Sequence, residues 1–205
     1  MTKIWKISLV VLGLLVLPGA LVQADTLEDI QKAYLGHDGF TVKFDQDTYQ
    51  TLVKKKIHFT GMVSYKRGCG VRMDVFTPER QLIIVKGSTL WINLIDQGTS
   101  SVQEIPEAFA SRNVLSFFAG MNHLSTDYEI EPSGKGLVLH PKKGTGIIHI
   151  QVNDKHHITK LELKDATGNI STIHLHGYEF KADPDMDLFD PDIQMNSIDQ
   201  PSNGS

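Results

Sequence analysis

His174 and His176 flank Leu175, and in an alternating strand that spacing sends both imidazoles to the same face. His149 lies two strands earlier, and the tandem His156 and His157 add two more rings, so a three-imidazole zinc site is the first chemistry to weigh. Ligation needs convergence, however, and no carboxylate stands at a partner spacing. Polar residues alternating on the outer face of a sheet give the same pattern, so no metal is assigned. Asp183, Asp185 and Asp187 also alternate in the manner of a calcium loop, but the glycine and closing glutamate of an EF-hand are missing, and a solvated acidic tail is the better reading. Nucleophilic chemistry fares no better. The chain has no Gly-x-Ser-x-Gly and no His-Glu-x-x-His. Its one cysteine, Cys69, sits between Gly68 and Gly70 with only Lys66 and Arg67 to favour a thiolate, and is read as a small residue in a turn. A lone cysteine also excludes internal disulfides and multi-cysteine metal sites. No catalytic residue and no cofactor is expected, and the protein reads as a non-enzyme.

The first two dozen residues differ from the rest. Met1–Lys6 is short and basic, Ile7–Leu17 is almost wholly apolar, and Pro18 and Gly19 break the run before Val22, Gln23 and Ala24, small or medium residues suited to a cleavage site. The apolar run is shorter than the roughly 20 residues of a membrane span. Residues 1–24 are therefore expected to be a secretory signal peptide, 25–195 a single domain, and 196–205 a disordered tail. Removing Lys3 and Lys6 leaves 18 basic against 24 acidic side chains, which argues against a nucleic-acid partner. The one dense basic run, Lys54–Lys56, reads as a solvated turn between two strands.

The remaining chain is built mostly of strands. Thr26 with Asp29 looks like a helix start, and Leu27, Ile30 and Tyr34 recur at helical spacing until Gly36. From Gly39 the period switches to two, with Phe40, Val42 and Phe44 on one face. The alternation returns around Ile57–Tyr65, Val71–Val75, Gln81–Val85 and Leu90–Leu94. After a second apolar helical region with Phe109, Val114, Leu115, Phe117 and Phe118, it resumes at Asp127–Glu131, Gly136–His140, Gly146–Val152, Ile158–Lys164 and Ser171–Tyr178. That makes about ten strands on short turns, an antiparallel meander. One long sheet with two short helical regions is best satisfied by curling, with the helices closing the mouth, and such a shell can hold an apolar guest.

Several stretches in this order resemble the LolA family of periplasmic lipoprotein carriers. Leu27–Ile30 followed by Phe40–Phe44 is similar to the family's first helix and first strand. Gly61–Tyr65, the turn Lys66–Arg67 and the strand around Arg72 are similar to its second and third strands, and Lys86–Trp91 to its Asp-Gly-Lys-Thr-Leu-Trp hairpin. Tyr128–Ile130, Leu137–Leu139 and Pro141–Lys142 resemble its tyrosine strand and Leu-Thr-Pro-Lys turn, and Leu188–Phe189 its closing segment. The resemblance implies a mainly β fold, an unclosed antiparallel β-barrel with short α-helices forming a lid over a hydrophobic cavity. It also implies a periplasmic carrier that takes the acyl chains of lipoproteins from an inner-membrane lipoprotein-releasing ABC transporter and passes them to an outer-membrane receptor, acting as a monomer. On that reading Phe44, Phe59, Leu90 and Ile92 represent the acyl-chain cavity, Leu27, Ile30, Phe117 and Phe118 the lid, and Arg72 the latch that holds the lid when the cavity is empty. Small residues replace the family's usual aromatic and proline around Arg72, at Gly68, Cys69 and Gly70. The alternative is therefore a lipid-binding relative with a specialised lipid cargo, or a sensor or scaffold that does not shuttle. Alternation alone leaves open which sheet face is concave.

Overall fold

The computed structural model describes residues 22–105, 118, 121–180 and 183–196. Helix α1 (Val22–Leu35) leads into β1 (Gly39–Gln50), β2 (Lys55–Lys66), β3 (Gly70–Thr77), β4 (Gln81–Lys86), β5 (Thr89–Leu94) and β6 (Thr99–Glu104). A short helix α2 (Leu124–Asp127) precedes β7 (Tyr128–Pro132), β8 (Gly136–Pro141), β9 (Ile147–Val152), β10 (Ile158–Lys164) and β11 (Ile170–Glu179). A 3-10 turn, Met186–Phe189, and helix α3 (Pro191–Asn196) follow.

All strands join one antiparallel sheet in the order β6-β5-β4-β3-β2-β1-β11-β10-β9-β8-β7. Two meanders, each built on short turns, are joined where β1 pairs with β11 along Thr41–Tyr49. The two edge strands, β6 and β7, do not pair, so the barrel is not closed. The chain between those edges carries Phe118 and Met121, both buried in the core beside α1.

The sheet has eleven strands rather than ten. The additional one, β6, is exposed along its whole length and its single aliphatic, Val102, is 64% exposed. It is held by backbone pairing to β5 alone, so hydropathy carries no period there to read. Helix α1 starts at Val22 rather than at Thr26, because the chain preceding Thr26 continues the helix instead of capping it. Of the second helical region only Phe118 is described. Phe109, Val114, Leu115 and Phe117 lie outside the described residues.

In the C-terminal segment Asp183, Asp185 and Asp187 are exposed, as expected of a solvated acidic stretch, while the chain around Leu188 and Phe189 is anchored. Phe189 is 1% exposed, and Pro184 and Pro191 are buried. The aspartates read as a solvated tail have local work to do. Asp185 accepts a hydrogen bond from the Asp187 N–H (3.1 Å), and the Asp190 carboxylate accepts the N–H of Asp192 (2.9 Å), an N-terminal cap for α3. Asp183 accepts from the Lys66 ammonium at 2.7 Å.

Candidate functional site

Cross-strand register decides which side chains share a face. Phe40, Tyr65, Val71, Val85 and Leu90 form one row across β1–β5, and Val42, Val63, Met73, Ile83 and Ile92 form the next. A third row begins Phe44, Gly61, Val75. Through β11 the same face continues as Leu175 and Ile173, then Leu161, Ile150 and Leu137. With Tyr128 and Ile130 of β7, the latter opposite Leu139, ten of the eleven strands contribute to one apolar surface. Only β6 is polar there, with Gln103 opposite Leu90 and Ser101 opposite Ile92. This face is the one covered by α1. Gly61 lets it curve: the Phe44 ring lies over it, and a Cβ there would sit 2.5 Å from that ring.

The face is shut. Ile30 of α1, Phe44, Leu90 and Phe118 are each 3% exposed or less. Leu27, Phe59 and Ile92 are half-buried and pack against the same core. Among the described residues, one cavity beneath α1, lined by Tyr34, Leu35, Phe40, Tyr65, Phe118 and Met121, measures about 10 Å³. That is at the lower limit for a single water and holds no hydrocarbon chain. Phe44, Phe59, Leu90 and Ile92 thus share one face, with Leu27, Ile30 and Phe118 packed in the same core; Phe117 lies outside the described residues.

Polar bonds fix α1 in that position. The buried Ile158 N–H donates to the Tyr34 hydroxyl (2.8 Å). Tyr34 donates to the Tyr178 hydroxyl (2.9 Å), which donates to the Ile158 carbonyl (2.8 Å). Burial pushes both phenols well above the usual tyrosine range, so neither ionises near neutrality. The trio sits where the β9–β10 register shifts, between Ile158 and Lys160, so it also satisfies a strand irregularity. Aromatic rings surround it. Tyr34 lies 5.3 Å from Phe40, 5.8 Å from Phe118 and 5.6 Å from Phe180, and Tyr178 stacks on Phe180 at 5.3 Å. The His157 ring packs on Phe180 at 4.4 Å; burial, then Lys155 and the neighbouring histidines, lowers its pKa. At the other flank the Gln31 amide donates to the Met121 carbonyl (3.1 Å).

Fold and closed apolar face together invite comparison with known proteins. The sequence model of a family described as "Outer membrane lipoprotein carrier protein LolA" matches residues 36–192. The chain belongs to the LolA family. Among solved structures, a LolA superfamily protein from Nitrosomonas europaea superposes with a TM-score of 0.53 at 14% identity, covering 84% of this chain and 99% of that one. A putative outer membrane lipoprotein-sorting protein domain from Vibrio parahaemolyticus gives 0.48 at 9% identity, covering 84% of this chain and 98% of that one. No curated protein sequence matches. Proteins of the LolA family are carriers rather than enzymes, and the fold is theirs: an unclosed antiparallel barrel with short helices over its concave face.

On this LolA fold Arg72 does not face the lid. Its row is Ser64, Arg72, Ile84 and Trp91, on the convex side. There the guanidinium grips Asp74 with two bonds (2.8 and 2.6 Å) and donates to the Leu188 carbonyl (3.0 Å) and the Gln194 amide oxygen (2.7 Å). It holds the C-terminal strap, which packs on β3; on the same convex side Leu82 and Ile84 are also buried. The parity of the strand dictates this, since Val71 and Met73 face the concave side. His174 and His176 share the convex face but lie across from Lys160 and Lys43, with His149 across from Glu162. Among the described residues no three metal-ligating side chains converge. Cys69 is buried in the β2–β3 turn, its N–H bonded to the Lys66 carbonyl. Tyr34 was legible only as an apolar helix position. The available signal was that a buried tyrosine must find a partner for its hydroxyl.

Proposed function

We propose that this LolA-family protein is a periplasmic carrier, exported through a cleavable signal peptide over residues 1–24, that shields the acyl chains of lipoproteins between the inner and outer membranes. Its partners on this reading are acylated lipoproteins, an inner-membrane ABC transporter that releases them and an outer-membrane receptor that takes them, and it acts as a monomer. The observation that carries the reading is the apolar face contributed by ten strands and sealed by a helix that is pinned to it through hydroxyls. Exposed methylenes cost about 0.8 kcal/mol each in water, so an acylated protein needs such a face to cross an aqueous gap.

On this reading α1 and Phe118 leave the sheet when a chain enters, since Ile30, Tyr34 and Phe118 bury the apolar face beside Phe40. The latching role that the family resemblance attaches to Arg72 falls to Tyr34 and Tyr178, and Arg72 acts on the strap behind the sheet. Native mass spectrometry of the protein recovered from periplasm, with organic extraction of what co-purifies, tests the carrier reading. Triacylated protein or its lipid moiety is the expected cargo. A single free lipid species overturns the lipoprotein assignment in favour of a specialised lipid binder.

A further inference from the structure

The turn between β1 and β2 is built from residues that turns ordinarily avoid. Thr51–Lys54 holds two adjacent aliphatics, Leu52 at 84% and Val53 at 66% exposure, where glycine, asparagine or aspartate would be usual. The hairpin projects past its neighbour, since β3 ends at Thr77 opposite Thr60 and leaves the first residues of β2 unpaired on that side. It is nonetheless firmly held. The Thr51 N–H donates to the Asn169 side chain (2.9 Å) and its hydroxyl to the Gly168 carbonyl (2.6 Å), tying the tip to the β10–β11 turn.

Behind the tip, register assembles one more row on the outer face: Lys56, Tyr49, Ile170 and Lys164. Tyr49 and Ile170 are exposed at 43% and 37%, with a lysine at each end of the pair. Lys54, Lys55 and Lys164 have no ion-pair partner among the described residues. The nearby carboxylates are occupied: Asp47 by Lys56 and His58, both at 3.0 Å, and Asp165 by the N–H groups and side chains of its own turn. In a chain whose formal net charge is −4, this end combines unpaired cations with exposed aliphatics and a tyrosine.

We propose that the β1–β2 tip docks on an anionic lipid bilayer, with Leu52 and Val53 entering the interface, Tyr49 at headgroup depth and the lysines on lipid phosphates. The order of groups along the hairpin matches the order of layers in a membrane surface, and lysine stems reach from an apolar stratum to a charged one. This surface lies outside the concave face and does not depend on what that face carries.

The test adds the Leu52→Trp variant to vesicles of phosphatidylethanolamine with one-third phosphatidylglycerol, and to pure phosphatidylcholine vesicles. Each variant is compared with a parent of identical N terminus. Expected are a blue shift of the introduced indole and its quenching by brominated lipid on the anionic vesicles only, weakening with salt. Lys54→Ser with Lys55→Ser should lower partitioning about 25-fold, at about fivefold per lysine. Leu52→Ser with Val53→Ser should lower it by at least about tenfold. Thermal melts of both pairs should match the parent, since all four side chains are exposed. An unshifted indole, or unchanged partitioning in either pair, overturns the proposal, as does capture of the tip by a protein without vesicle binding.

Discussion

Replacing Tyr34 with Phe keeps the ring among Phe40, Phe118 and Phe180 and deletes one oxygen, so no cavity of consequence forms. What is lost is the acceptor for the buried Ile158 N–H and the donor to Tyr178. A buried N–H left unpaired costs about 1–3 kcal/mol. Because Tyr34 is on α1 while Ile158 and Tyr178 are on the sheet, the loss falls on the closed state; an open state hydrates both groups. At about 2 kcal/mol the open population rises about thirtyfold. Hydrogen exchange should show amides of Leu27–Leu35 losing one to two orders of magnitude of protection, while β1 and β2 change by less. A fluorescent fatty acid should enter correspondingly faster. Equal loss of protection in α1 and in β1 would refute the clasp, because the hydroxyl would then serve global stability alone. Unchanged exchange in α1 would refute it as well.

Other expectations concern the scaffold. Gly61→Ala drives a methyl into the Phe44 ring and the Asp74 carbonyl, and a cost of about 1–3 kcal/mol should appear as a lower urea midpoint with unchanged slope. Arg72→Leu strands the half-buried Asp74 carboxylate and two strap acceptors; about 3 kcal/mol of destabilisation and protease cleavage between β11 and Phe189 should follow, with Asp74→Asn added to it restoring part of the loss. If the strap does not serve loading, that variant still takes up lipid. The depressed pKa of His157 means the folded state prefers the neutral ring. Stability is complete above the unfolded value of about 6.5 and falls as pH drops below it toward the folded pKa; His157→Gln should flatten urea midpoints between about pH 7 and pH 5.

How much of this was written in the sequence follows from what alternation reports. Where one face is buried and the other wet, as in Phe40–Phe44 or Ile147–Val152, period two gives strand and face together. In β4 the run Leu82–Val85 is apolar throughout, and Leu82 and Ile84 on one side are buried as well as Val85 on the other, so alternation could not say which face is concave. In β6 neither side is covered and no period exists. The acidic residues Asp183–Asp190 look soluble by composition, yet Phe189 between them is buried, since a strap needs few apolar anchors once backbone and carboxylates supply the caps. Arg72 was assigned by analogy to the lid. Its parity with Asp74, opposite to Val71 and Met73, became decisive only when register joined Val71 and Met73 to the rows of Leu90 and Ile92.

The two covers differ in chemistry, and the difference suits a carrier. The strap is fastened by charge-assisted bonds from Lys66 and Arg72, which are the stronger kind. The lid is fastened by neutral hydroxyls and by apolar contacts that an acyl chain can replace one for one. A sixteen-carbon chain gains roughly 13 kcal/mol on burial at about 0.8 kcal/mol per methylene. Displacing Ile30 and Phe118 from the sheet forfeits about 1.5–3 kcal/mol each, and opening the tyrosine trio about 1–3 kcal/mol more. The net is favourable but well short of the gross burial, and cargo held by that reduced margin can be surrendered to a deeper apolar site. A rigid, permanently open groove of the same area would bind more tightly and release more slowly.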